Sequence, residues 1–213
     1  MMSPKIDTIE YSAPDQSTVD QAAAILDRGG LIVAPTETRY GLLARADDRE
    51  AVSRLYGIKG RPMTMPTAIF VKDVNGISRY GRLNAAARRL AEKFLPGPLT
   101  LVLEATASLG EPLVVDRKIG IRLSSAPFIQ SLVETVKFPV TATSANISGD
   151  QELETIEEIA RAFGGKIDLY VDVGVLDNPV STVVDASEDN PVILRSGAIA
   201  ESEILALLDS QLI

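Results

Sequence analysis

The chain has 213 residues, with 29 acidic against 21 basic side chains and a formal net charge of −8. It holds 0 Cys, 0 His and 0 Trp, which excludes disulfides, thiolate catalysis, Cys- or His-ligated metals and the Ser-His-Asp triad. Hydrophobic residues at 46% and charged residues at 23% are ordinary for a globular chain, whereas 5% aromatics and the acidic balance argue against a general nucleic-acid binder.

Any chemistry must therefore run on carboxylates, Lys, Arg, Tyr, hydroxyls and backbone. No apolar run reaches membrane-spanning length, and the stretch MMSPKIDTIEYSAPDQ lacks the apolar core of a signal peptide. A cytoplasmic protein without membrane contact is expected, and the acceptor pattern Asn146-Ile147-Ser148 is read as coincidence.

In chain order, Asp15 to Arg28 reads as a helix with Val19, Ala22, Ala23 and Leu26 on one stripe, ended by Gly29-Gly30. Leu31 to Pro35 is a short apolar run and reads as a buried strand. Arg49 to Ile58 is a second helix, with Ala51, Val52, Leu55 and Ile58 expected inward. Thr67 to Val71 is a strand, and Asn84 caps a helix that Pro96-Gly97-Pro98 stops after Phe94. Leu99 to Ala105 and Ile119 to Leu123 are strands, Pro127 to Val136 a helix, and Pro139 to Thr143 a strand. Thr155 and Glu158 form a capping box for a helix ending near Phe163. Asp168 to Val173, Ser181 to Asp185 and Pro191 to Arg195 are strands, and Glu203 to Leu208 is a closing helix. Helices and strands interleave from end to end without repeat or linker. This gives an α/β fold with helices on a mixed sheet, in a single domain over residues 1–213.

An α/β chain invites a nucleotide, yet neither G-x-x-x-x-G-K-[ST] nor G-x-G-x-x-G after a strand occurs. Four polar segments stand out instead. Pro35 to Leu43 (PTETRYGLL) places two threonines and a Glu after a strand; alone it reads as a capped surface loop. Lys59 to Pro62 (KGRP) follows a helix and reads equally as a phosphate clamp or as favourable charge at a helix C-terminus. Thr143 to Gly149 (TSANISG) combines hydroxyls, an amide and a Gly, suited to an anion or to an ordinary turn. Ser181 to Ile199 (STVVD to ILRSGAI) ends a strand in Arg195, followed by Gly197. Arg122, late in IGIRL, has the same two readings, ligand or surface pair.

Taken together, PTETRYGL, KGRP, PGPLTLVL, IGIRL, SANISG, STVVD and ILRSGAI resemble the YrdC-like family of threonylcarbamoyl-AMP synthases, in that order, from about Gly29 to Ile199. The length resembles the short, single-domain form. The resemblance implies a twisted, mixed or mostly antiparallel sheet flanked by helices, with a concave, positively charged cavity. It implies a nucleotidyltransferase that joins L-threonine, bicarbonate or CO2, and ATP into threonylcarbamoyl-AMP and pyrophosphate. The product would feed a separate transferase that modifies tRNA. Carried over by position, Lys59 and Arg61 are the catalytic phosphate contacts, and Met65, Ser144, Asn146 and Arg195 also border the nucleotide. Thr38, Phe70, Arg122 and Ser181 border the threonine, with Arg122 pairing its carboxylate. No protein metal site is implied; Mg²⁺ comes with ATP, held by phosphate oxygens and water. Relatives of the same fold imply one alternative, a nucleotide- or RNA-binding paralogue, including double-stranded or ribosomal RNA, with altered catalysis. The chain departs from the usual family pattern at Arg39 for Val, Leu43 for Gly, Arg45 for Asp, Met65 for Asn or His, Phe70 for His and Val180 for Glu.

Overall fold

The computed structural model describes residues 8–11, 15–106 and 109–209, so most of the N-terminal stretch read for a signal sequence lies outside them. The first elements in chain order are β1 (Thr8–Glu10), α1 (Gln16–Asp27), β2 (Ile32–Pro35), β3 (Tyr40–Leu43), α2 (Arg49–Lys59) and β4 (Ala68–Phe70). Then come α3 (Val74–Tyr80), α4 (Ala85–Phe94), β5 (Leu99–Glu104), β6 (Val114–Val115), β7 (Lys118–Arg122), α5 (Pro127–Thr135) and β8 (Val140–Ser144). The chain continues with α6 (Ile156–Phe163), β9 (Leu169–Asp172), β10 (Thr182–Asp185), β11 (Val192–Arg195) and α7 (Glu201–Asp209). Among the described residues, no helix is long and apolar enough to cross a membrane.

The strands form one mixed sheet in the order β1-β9-β2-β3-β8-β4-β7-β5-β10-β11, with β6 beside β7. Neighbours β2/β3, β3/β8, β4/β8, β5/β7, β6/β7 and β10/β11 are antiparallel, and β1/β9, β2/β9, β4/β7 and β5/β10 are parallel. The mixed sheet expected from the sequence is the one found.

Caps set the helix starts as read. Asn84 Oδ1 accepts from Ala87 N–H at 2.8 Å, and Thr155 with Glu158 closes a reciprocal capping box. Four elements were not foreseen: β1, β3, β6 and α3. The segment read as a loop from Pro35 to Leu43 is a hairpin, because Tyr40–Leu43 turns back on Ile32–Pro35. In α2 the inward face is also shifted: Ile58 is partly exposed, whereas Tyr56 and Lys59 are buried.

Strand alternation divides the core in two. Leu31 and Val33 point to a cluster shared with α2, α4, α6 and α7, whereas Ile32 and Ala34 point to a second cluster with α1 and α5. On β5, β7 and β10, residues Leu99, Leu101, Leu103, Ile119, Ile121 and Val184 all join the first cluster. Their alternates face the α1/α5 side. Helices α1 and α5 pack beside β2 and β9. The other face of β7, β5 and β10 is left open, and that bare face is the floor of a cavity.

Candidate active site

The cavity encloses about 610 Å³. Its floor is Gly120, Val102 and Val183, with Thr100 and Arg122 at one end of those strands and the ion pair Lys118–Asp185 at the other. Lys118 Nζ donates to Asp185 Oδ2 at 2.7 Å. Gly120 allows close strand approach: a Cβ there would stand 3.0 Å from the Ala68 Cβ.

One wall is cationic. Gly60 closes α2 in the left-handed conformation (φ 61°, ψ 27°), and Arg61 N–H returns to Tyr56 O at 3.0 Å. Lys59, the last residue of α2, lies on its buried face, and the reversal after it carries Arg61 onto the cavity wall. Arg61 braces its own loop, donating from Nε to Met65 O at 3.0 Å and from Nη2 to Pro66 O at 2.8 Å. Arg195 lies across from it, donating from Nη2 to Ser181 O at 2.8 Å and to Ser181 Oγ at 2.9 Å. The turn that follows needs Gly197, since a Cβ there would meet Val180 O at 2.3 Å.

Lys59 does not line the cavity. Its Nζ lies beneath the segment Ser144–Asp150, donating to Ser144 O at 2.5 Å and Asn146 O at 2.6 Å. Ser148 N–H donates back to Lys59 O at 2.8 Å, so the end of α2 and this loop are one unit. Burial, reinforced by the neighbouring Arg61 charge and opposed by Glu152, lowers the Lys59 ammonium from 10.5 to about 7. Asn146 is internal to the loop: its Oδ1 accepts from Ser144 Oγ at 2.6 Å and its Nδ2 donates to Asp150 O at 2.9 Å. Ser144 lines the cavity, whereas Asn146 and the exposed Met65 do not.

The opposite end is built on the β2–β3 hairpin. Thr36 and Thr38 are buried, their hydroxyls 3.0 Å apart, and both line the cavity. Arg122 is 8% exposed and also lines it. Its Nη2 donates to Glu37 Oε1 at 2.5 Å and approaches Thr38 Oγ1 at 3.3 Å. Glu37 Oε2 takes a short hydrogen bond from Ser124 Oγ. The guanidinium rests on Phe70, with Cζ 5.0 Å from the ring centroid. Its Nε–H is buried and has no acceptor among the described residues. Of the ten site residues expected from the sequence, Arg61, Ser144, Arg195, Thr38, Phe70, Arg122 and Ser181 meet at this one cavity. Sequence reasoning missed Glu37 and Arg39. The signal available was the pair of charged residues inside PTETRYG, but not what they face. Arg39 bridges to Glu154 at 3.0 Å, to Glu152 at 3.4 Å and to Leu176 O at 3.0 Å.

The site is thus one open face of a mixed sheet, with Arg61 and Arg195 on its wall and the shielded Arg122 at the far end. The chain belongs to the Sua5/YciO/YrdC family, whose model, described as "Telomere recombination", matches residues 24–197. The threonylcarbamoyl-AMP synthase of Bacillus subtilis is 32% identical over 207 residues, covering 95% of this chain and 60% of that protein. The crystal structure of Pyrococcus abyssi Sua5 complexed with L-threonine superposes with a TM-score of 0.85 at 32% identity, covering 95% of this chain and 60% of that one. The crystal structure of Escherichia coli YciO gives 0.84 at 30% identity, covering 93% and 98%. This chain is thus about three-fifths the length of the Bacillus and Pyrococcus relatives it matches. The family's named synthases are transferases, and this chain shares the fold of the Pyrococcus protein.

Proposed function

We propose that this chain is a threonylcarbamoyl-AMP synthase that condenses L-threonine, bicarbonate and ATP into threonylcarbamoyl-AMP and pyrophosphate, for modification of tRNA. The observation that carries the reading is Arg122, which lines the cavity together with Thr38 and Ser181 and is held in place by Glu37. A guanidinium on a cavity wall offers charge-assisted hydrogen bonds, and an amino-acid carboxylate is a matching acceptor. The rest of the cavity suits ATP. Arg61, Ser144 and Arg195 surround the place for the triphosphate, and the flat floor of Gly120, Val102 and Val183 takes the base.

Threonine carbamate is an oxygen nucleophile. Its oxygen bonds to the α-phosphorus as the bond to the pyrophosphate oxygen breaks. The work left to the protein is alignment and charge neutralisation, and Arg61 and Arg195 perform the latter. Lys59 contributes by holding the Ser144–Asp150 loop in shape from beneath.

A protein-held metal does not fit this cavity. Of its three acidic residues, Glu152 is paired with Arg39, Asp185 with Lys118, and Asp116 is a single carboxylate near Lys118, and no cluster of metal-ligating side chains occurs among the described residues. Mg²⁺ therefore arrives on the triphosphate as part of the substrate. The test is pyrophosphate release from ATP with bicarbonate, with each amino acid offered in turn. Threonine should drive release, and Arg122→Ala should abolish it while leaving most of the ATP affinity. Release that is indifferent to every amino acid overturns the proposal.

A further inference from the structure

The cavity's two ends differ in how their cations are compensated. Arg61 donates only to backbone carbonyls, so its full charge faces the cavity. Arg195 binds the Ser181 carbonyl and hydroxyl and likewise keeps its charge. Arg122 is instead held by a carboxylate. Glu37 and Arg122 are each 10% exposed at the side chain, and Glu37 stands behind Arg122 rather than on the cavity wall. Ser124 fixes the second carboxylate oxygen, and the Ser124 hydroxyl in turn accepts from Ala126 N–H at 3.1 Å.

Burying a carboxylate costs free energy that a merely structural Arg contact does not require. Its effect on ligands is specific. Arg61, Arg122 and Arg195 line one cavity, and the charges of Arg122 and Arg61 both act on Arg195. Left uncompensated, Arg122 would be a second good phosphate site, a guanidinium fork at one end of a cavity that must align a triphosphate in one register. With Glu37 paired, that end is neutral. A threonine zwitterion, itself neutral, enters without net charge mismatch and still finds the Arg122 guanidinium on the cavity wall.

We propose that Glu37 is the specificity-determining residue of the amino-acid end: it orients Arg122 and cancels its charge, so that this end accepts an amino-acid carboxylate and refuses phosphate groups. The proposal rests on the synthase reading above and deepens it. Glu37 acts through Arg122, and so is a positioning residue rather than a catalytic one.

The test uses the full chain, with L-threonine and inorganic phosphate as probes in titration calorimetry. Glu37→Gln keeps the shape and an acceptor for Arg122 Nη2 but removes the charge. In the wild type, excess phosphate should shift the threonine Kd by less than about twofold. In Glu37→Gln the threonine Kd without phosphate should stay within about fivefold of wild type, and phosphate should now raise it about tenfold, competitively. Glu37→Ala, which loses the orientation too, should weaken threonine about tenfold or more even without phosphate. The new phosphate site should vanish in Glu37→Gln/Arg122→Ala. Indifference of Glu37→Gln to phosphate, or equal competition in the wild type, overturns the role given to Glu37. If no protein in the series binds any amino acid but Glu37→Gln gains the phosphate site, the charge role stands and the threonine reading falls instead.

Discussion

The same face of one sheet is finished in two ways. Over β2 and β9 it is covered by α1 and α5, and the side chains beneath are Ile32, Ala34, Leu169 and Val171, all fully buried. Over β7, β5 and β10 no helix of the described residues covers it, and the corresponding positions hold Arg122, Thr100, Val102, Val183 and Asp185 around a cavity of about 610 Å³. Strand chemistry on the opposite face is alike in both halves, because Leu31, Val33, Leu101 and Ile121 all enter one core. The difference lies in what the chain places over each half, and the cavity lies where the helical cover ends.

The comparison is broken most directly by truncating a large side chain in each half. Phe128 on α5 is 1% exposed and meets Tyr11 edge-on at 5.1 Å. Phe128→Ala should cost about 3–5 kcal/mol in denaturant unfolding, by lost transfer energy plus an internal void. Val102→Ala, on the partly exposed floor, should cost about 1 kcal/mol or less, and should instead weaken ATP about threefold to tenfold. Equal stability losses from the two variants would mean that the floor is core and not binding surface.

That division was half legible in the sequence. The alternation in LTLVLE, IGIRL and TVVD gives strands with one apolar and one mixed face, and the clustering of hydroxyls and cations at their ends is visible too. Which mixed faces stay open is not, because cover by α1 and α5 is decided by packing between elements far apart in the chain. The Glu37–Arg122 pair spans 85 residues and arises only when the β2–β3 hairpin meets the end of β7. Strand β3 reads as loop in the sequence because Thr36, Glu37, Thr38 and Arg39 outweigh a four-residue apolar run containing Gly41. Helix α3 escaped because VNGISRY buries only Ile77 and Tyr80 and carries a Gly in its first turn. Lys59 reads as a phosphate contact from its place in KGRP; the structure places it on the buried face of the last turn of α2, beneath the Ser144–Asp150 loop and off the cavity lining.

Lys59 sharpens the comparison through pH. Burial holds its folded-state value near about 7, against 10.5 for the exposed group. A neutral amine still donates both of its hydrogen bonds, to Ser144 O and Asn146 O. Between pH 10.5 and about 7 the unfolded chain binds a proton that the folded chain refuses. Stability should therefore fall as pH drops through that window, by up to about 1.4 kcal/mol per unit, and level off below it. Lys59→Met removes this dependence. Unfolding midpoints measured across the window should slope in the wild type and flatten in the variant. Parallel curves for both proteins would place the proton uptake elsewhere.

The smallest expected effect is the most local test of the open half. Arg39 joins three segments around the cavity mouth: the β2–β3 hairpin, the stretch Glu152–Glu154 and the carbonyl of Leu176. Its ion pairs are partly exposed, so their worth to stability is about 1 kcal/mol at most. Their effect on ligand is distinct. Glu152 lines the cavity on the side of Arg61 and Arg195, where a triphosphate would feel its charge. Arg39 neutralises that carboxylate. Arg39→Val, which restores the residue usual in the resembling family, should leave the unfolding midpoint nearly unchanged and weaken ATP by about twofold to fivefold. Because the interaction is a screened one between a wall carboxylate and phosphates, raising salt from about 0.05 M to about 0.5 M should shrink the difference between the two proteins. Glu152→Gln in the Arg39→Val background should recover the lost affinity, since it removes the unpaired charge. If Arg39→Val weakens ATP equally at both salt concentrations and Glu152→Gln recovers nothing, Arg39 acts by holding the hairpin in place rather than by cancelling charge.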